Sequence, residues 1–198
     1  TRSSLQISRG GLDMVGEALG VPTPRDMGLV AWSFDPALLG GSSSDTTLTN
    51  GTQYLTAVYV ARTQPATKIY WGINTVATTP TSGQNWLTMY NAAGTLLASG
   101  DITSQLTSTG GLNSTIASTA LTPGLYWIGV IQNAATPARL YRGASVNNAT
   151  VLNSGTTAAT KRSAANGTGI TTTPPATITP SSNTNPSPAY PFWFAVGP

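Results

Sequence analysis

The chain has 198 residues, enough for one well-buried domain or for one domain with an arm, and too few for two large ones. Nine Lys and Arg against six Asp and Glu, with no His and no Cys, leave no disulfide framework, no thiolate or imidazole metal site and no Ser-His-Asp triad. The basic residues are too dispersed to track a phosphate backbone, and no apolar run approaches the roughly 18 residues of a membrane helix, so neither nucleic acid nor a membrane span is expected.

Charge divides the chain. Residues 1–45 hold three basic and five acidic residues, a net −2, whereas the remainder holds six against one, a net +5. The change falls near Gly40-Gly-Ser-Ser-Ser44, so residues 1–45 are expected to be a docking arm and 46–198 the main domain. In the arm, Asp13 can cap a short helix in which Leu12, Val15 and Leu19 share a face, with Gly20 ending it and Pro22 and Pro24 beyond. Such a helix cannot stand alone and must pack on the main domain, on a neighbouring copy or on a scaffold. Leu29 to Phe34, which includes Trp32, suits a strand or an extended docking stretch that stops at Asp35-Pro36.

From Thr46 onward, strands alternate with turn signals. Tyr54–Val60 is apolar on both alternating faces, as in a strand covered on both sides, and Lys68–Ile73 follows. Asn85–Tyr90 and Thr95–Ser99 flank Asn91-Ala-Ala-Gly94, a hairpin signal. A loop around Gly110-Gly111 leads to Ile116–Leu121, then the turn Thr122-Pro-Gly124 and the strongest strand, Leu125–Ile131. Val146 to Pro188 is rich in Ser, Thr, Asn and Pro and reads as a long excursion over the domain surface or along a subunit interface. An aromatic strand, Tyr190–Val196, closes the domain. The expected fold is all-β: an antiparallel, jelly-roll-like β-sandwich with a short helical or extended N-terminal arm. Apolar residues on both strand faces suggest that neighbouring subunits bury the outer one.

Little in this chain resembles catalytic equipment. Asp101 is the one acid after residue 46, and Asp after Gly is a turn-former, so paired-carboxylate hydrolysis and a calcium cage both lack partners there. No catalytic residue, metal or cofactor is expected, and the chain is not expected to be an enzyme. Trp71, Trp86, Trp127 and Trp193 lie inside strands and read as core or interface rather than as sugar-stacking platforms. In Arg139-Leu-Tyr-Arg142 two of the few cations bracket a Tyr: Arg139, Tyr141 and Arg142 could hold a polar glycan or an anionic polymer, or could belong to a subunit interface.

The stretches Gly83–Ser99, Asp101–Thr103 and Thr119–Asn133, with Tyr90-Asn-Ala-Ala-Gly-Thr-Leu-Leu-Ala98 and Leu121-Thr-Pro-Gly-Leu-Tyr-Trp-Ile-Gly129, resemble the β-sandwich domain of minor tail proteins and tail fibres of phages that infect actinobacteria. The likeness covers roughly residues 54–140. It implies a virion structural protein, homotrimeric, on the outer surface of the particle, whose partners are other virion proteins and whose sandwich binds a host-surface glycan. A capsid decoration protein with a purely structural role is the alternative. In either case the arm, through Leu12, Val15, Leu19, Trp32 and Phe34, would supply the docking contacts.

Overall fold

A computed structural model describes residues 22–39, 47–143, 148–187 and 190–198 of the chain. The expected helix bearing Leu12, Val15 and Leu19, and the boundary near Gly40–Ser44, lie outside the described residues. The strands in chain order are β1 (Ala31–Trp32), β2 (Tyr54–Val60), β3 (Gln64–Thr75), β4 (Thr78–Pro80), β5 (Trp86–Asn91) and β6 (Leu96–Asp101). They continue with β7 (Gly110–Leu121), β8 (Gly124–Ile131), β9 (Ala134–Thr136), β10 (Arg139–Leu140), β11 (Ser163–Ala165) and β12 (Ala195–Gly197). One short helix, α1 (Asn148–Leu152), is described among them.

All pairings are antiparallel. One sheet runs β1-β12-β3, with β7 along the far edge of β3 and β10 continuing the line of β12; the other runs β11-β2-β8-β5-β6. With β10, β11 and the small β4–β9 ribbon set aside, the orders β1-β12-β3-β7 and β2-β8-β5-β6 are the two interleaved sheets of a jelly roll.

Local chemistry explains the turns. Gly94 closes the β5–β6 hairpin at φ +89°, a left-handed conformation that a side chain would strain, while the Asn91 carboxamide accepts from the Thr95 N–H at 2.9 Å. At the β7–β8 turn, the Tyr126 hydroxyl accepts from the Thr122 N–H at 2.9 Å and donates to the Thr122 carbonyl at 3.0 Å, fastening Pro123-Gly124 from within the following strand.

Between the sheets, Val58, Ile69, Trp71, Leu87, Met89, Ile128, Val130, Phe192, Phe194 and Val196 form the main core. Alternation puts a second apolar set, Leu55, Ala57, Tyr90 and Trp127, on the outer face of the β2-β8-β5 sheet. The expectation that neighbouring subunits bury this face is corrected here. Residues 153–187 of the same chain lie over it, contributing Ala164 and Ile178 to the cluster.

Polar side chains hold that cover in place, which is how a segment with few large apolar residues stays ordered. The Tyr90 hydroxyl donates to the Pro175 carbonyl at 2.9 Å, Trp86 Nε1 to the Thr172 carbonyl at 3.0 Å, and Asn133 Nδ2 to the Ile170 carbonyl at 2.9 Å. Backbone pairs Leu96 N–H to Ala176 O and Ile178 N–H to Gly94 O extend the sheet past β6, and a Cβ at Gly94 would collide with the Ile178 carbonyl. Burial pushes the Tyr90 phenol above its ordinary value near 10.0, against the hydrogen bonds with Gln53 and Thr88 that favour its ionised form.

Three further expectations change in detail. β1 pairs with β12, and Ala31 belongs to the core, so the second half of the expected arm is part of the sandwich. Gly110-Gly111, read as a loop, starts β7 opposite Gly72 and Ile73. The closing stretch is strand only at its end, because Phe192 and Trp193 pair with the irregular Tyr141–Arg142 instead of a regular strand.

Candidate functional site

Among the described residues an apolar groove lies where the two sheets meet beside β1 and β2. After β1 the chain turns at Asp35, whose carboxylate caps the following turn by accepting from the Ala37 N–H at 2.8 Å, and this turn presents Ala37 and Leu38 outward. Opposite stand Val151 and Leu152 of α1 and the start of the closing stretch at Pro191. The resulting groove has a volume of about 490 Å³ and is lined chiefly by Phe34, Leu38, Leu39, Val151, Leu152 and Pro191. Its apolar walls stay in water: Leu38 is 60 % exposed and Val151 73 %. A bridge between Leu39 and Gly143, and the Gly143 N–H bond to the Pro191 carbonyl at 3.1 Å, form one side.

Polar chemistry is confined to the rim and floor. Arg162, just before β11, is exposed and its guanidinium reaches the Ser33 carbonyl at 3.4 Å. Asn153 positions that approach, since its carboxamide oxygen accepts from the Arg162 N–H at 2.8 Å and the Ser163 N–H at 3.2 Å. Thr56 of β2 also borders the groove; its hydroxyl is buried and has no hydrogen-bond partner among the described residues. The described part of such a site can accept apolar side chains, with the Arg162 guanidinium at its rim suited to a carboxylate.

Of the docking residues expected in the arm, Phe34 lines this groove, and its carbonyl accepts from Trp193 Nε1 at 3.1 Å. Trp32 is half-buried in β1 against Ala195 of β12. Arg139, Tyr141 and Arg142 are neighbours in sequence but not one surface. Arg139 is exposed on β10. Tyr141 is half-buried, its ring laid so closely on β3 that a Cβ at Gly72 would come within 2.5 Å of it. Arg142 is only 5 % exposed, with its guanidinium carbon 3.5 Å from the centroid of the Tyr190 ring and Nη1 donating to the Gly143 carbonyl at 3.2 Å.

The groove escaped sequence reasoning because it joins residues more than a hundred positions apart. Its one legible sign was Ala37-Leu-Leu39, an apolar run directly after a Pro turn. Trp71 and Trp127 are fully buried, as the core reading expected. Asp101 makes the expected turn, accepting from the Thr103 N–H at 2.7 Å. Among the described residues no group of three or more Asp or Glu is placed to hold a metal ion, and no helix is long and apolar enough to cross a membrane.

Fold and site thus define a jelly-roll sandwich with an apolar groove at its β1 flank. No protein-family model matches the chain, and no curated protein matches it either. The stretches Gly83–Ser99 and Thr119–Asn133 supply β5, β8 and most of β6, which are consecutive in one sheet in the order β8-β5-β6.

Proposed function

We propose that the chain is a structural component of a tailed-phage virion, displayed on the outside of the particle and attached through the flank that carries β1 and the groove. The observation that carries this reading is the groove itself. Large apolar side chains left in water beside a polar rim are a surface for another protein segment, not a feature that a free monomer needs. The jelly-roll order supports it, because that architecture serves viral capsid and lectin domains, although a fold alone does not fix a role. The likeness in β5, β6 and β8 favours a minor tail or tail-fibre position and a homotrimer, with the sandwich facing the host.

One observation favours the second reading, a capsid decoration protein with a purely structural role. Arg142 is buried under Tyr190 and Tyr141 lies against Gly72, which leaves Arg139 as the exposed member of the expected glycan-binding set. Quantitative mass spectrometry of purified particles separates the two. A few to tens of copies per particle is the expectation for a tail component, hundreds would indicate decoration, and absence from particles would overturn both. Should the sandwich be an adhesin, excess purified protein should slow phage adsorption and Arg139→Ala should weaken that competition.

A further inference from the structure

The edge of β2 beside the groove is only partly paired. β11 pairs with β2 at Tyr54, Leu55 and Thr56, and the Arg162 carbonyl still accepts from the Ala57 N–H at 2.9 Å. There the ladder stops. The Arg162 N–H is turned to the Asn153 carboxamide at 2.8 Å, and the residues before it coil into the turn Ala158–Thr160. Hydrogen bonding alternates between the two sides of an antiparallel strand, so the backbones of Leu55, Ala57 and Tyr59 face away from β8. The Ala57 carbonyl and both backbone groups of Tyr59 therefore take no backbone partner among the described residues. Tyr59 is also the one residue of β2 left exposed. An open strand edge of this kind is a template for another chain.

We propose that this edge receives an added strand, an extended segment of another virion protein. It pairs with residues 57–59 in the line of β11, places an apolar side chain in the groove and sets a carboxylate against Arg162. This rests on attachment of the chain to a particle through the β1 flank and names how that flank holds its partner. The layout favours an extended segment. Thr56 borders the groove, and three residues on, Tyr59 borders a second hollow of about 210 Å³ together with Leu29 and Ala61. At about 3.3 Å per residue, a strand of about four or five residues spans the distance, with alternate side chains turned to the Thr56 side. Main-chain hydrogen bonds would supply affinity, and the groove and Arg162 the preference for particular side chains. Arg162 is the one charged side chain among the described lining of the groove, and its guanidinium bonds there to the Ser33 carbonyl, not to a carboxylate. A second copy fits less well, because residues 54–60 include no acid to offer from the same edge.

Hydrogen exchange, read on overlapping peptides across residues 57–61, compares the purified chain with the chain in purified particles. In the free chain the Tyr59 amide should exchange at least about ten-fold faster than those of Val58 and Val60, which face β8, and on the particle it should slow by a similar factor. A protected Tyr59 amide in the free chain would overturn the open edge. An unprotected one on particles that contain the chain would overturn the added strand and leave attachment standing, whereas absence of the chain from particles would overturn both. Charge is read separately, as copies per particle by quantitative mass spectrometry. Arg162→Glu, at an exposed position, should lower the number at least about ten-fold, and Arg162→Lys should keep most of it. Ser118→Glu, exposed on β7, should incorporate as the parent does. Equal incorporation of Arg162→Glu and the parent would overturn the carboxylate contact. Cross-links from residues 57–61 to a second copy, instead of to another protein, would overturn the choice of partner.

Discussion

Tyr126 sits in β8 but acts on the turn before it, its hydroxyl serving both the N–H and the carbonyl of Thr122. One nearly buried phenol thus accepts one hydrogen bond and donates another at a Pro-Gly turn. Tyr126→Phe should therefore lower stability by about 1–2 kcal/mol, read as a lower urea midpoint with unchanged slope; an unchanged midpoint would show the turn to be held by its Pro and Gly alone. Gly94 carries a double constraint, a left-handed backbone and the Ile178 carbonyl in the space a Cβ would occupy. Gly94→Ala should cost roughly 1–3 kcal/mol and loosen residues 176–178 first, detectable as faster amide exchange there than in β8. Tyr90 gives a pH signature. Its phenol is held above the ordinary value in the folded chain, so ionisation favours unfolding: this contribution is complete below about pH 10 and fades as pH rises through the folded value. Denaturation midpoints compared across that range should fall less in Tyr90→Phe than in the parent.

Strands in this protein were legible where two signals coincided. Tyr54–Val60 and Leu125–Ile131 combine β-branched or aromatic composition with flanking turn residues, and each matches an observed strand to within a residue. The Asn91–Gly94 hairpin was legible because only a few residue types tolerate φ near +89°. What sequence could not supply was the partner of each apolar face. Leu55 and Trp127 announce burial without saying by what, and the covering segment hides because carboxamides and backbone carbonyls, not apolar side chains, fix most of it. The charge change at residue 45 likewise misplaced the limit of the sandwich, since backbone pairing of Ala31 and Trp32 with β12 is independent of charge. The two boundaries make different predictions. Deleting residues 1–21 should leave a cooperative unfolding transition, whereas deleting 1–39 removes β1 and a core alanine and should broaden or abolish it in calorimetry.

At the scale of the whole molecule the scarcity of ionisable groups becomes a stability profile. Among the described residues two side chains tie stability to pH at opposite limits: Tyr90 above neutrality, and Asp26, held below its ordinary 3.8 by the N–H and hydroxyl of Thr23, below it. Asp26 favours the folded chain above that value and loses its contribution as pH falls through the folded one. Melting temperature should accordingly depend on Asp26 at the acid limit and on Tyr90 at the alkaline one, so differential scanning calorimetry should find the acid limb reduced in Asp26→Asn and the alkaline limb reduced in Tyr90→Phe.

The position of β12 between β1 and β3 has a consequence for folding. β1 and β3 cannot share a sheet until residues 195–197 are available, because the strand that lies between them is far away in sequence from both. Phe192, Phe194 and Val196 enter the main core with it. Completion of this sheet thus depends on pairings of high sequence separation, the slow regime for β proteins. Removal of residues 191–198 would therefore leave an open sheet rather than a shortened domain, an aggregation-prone state.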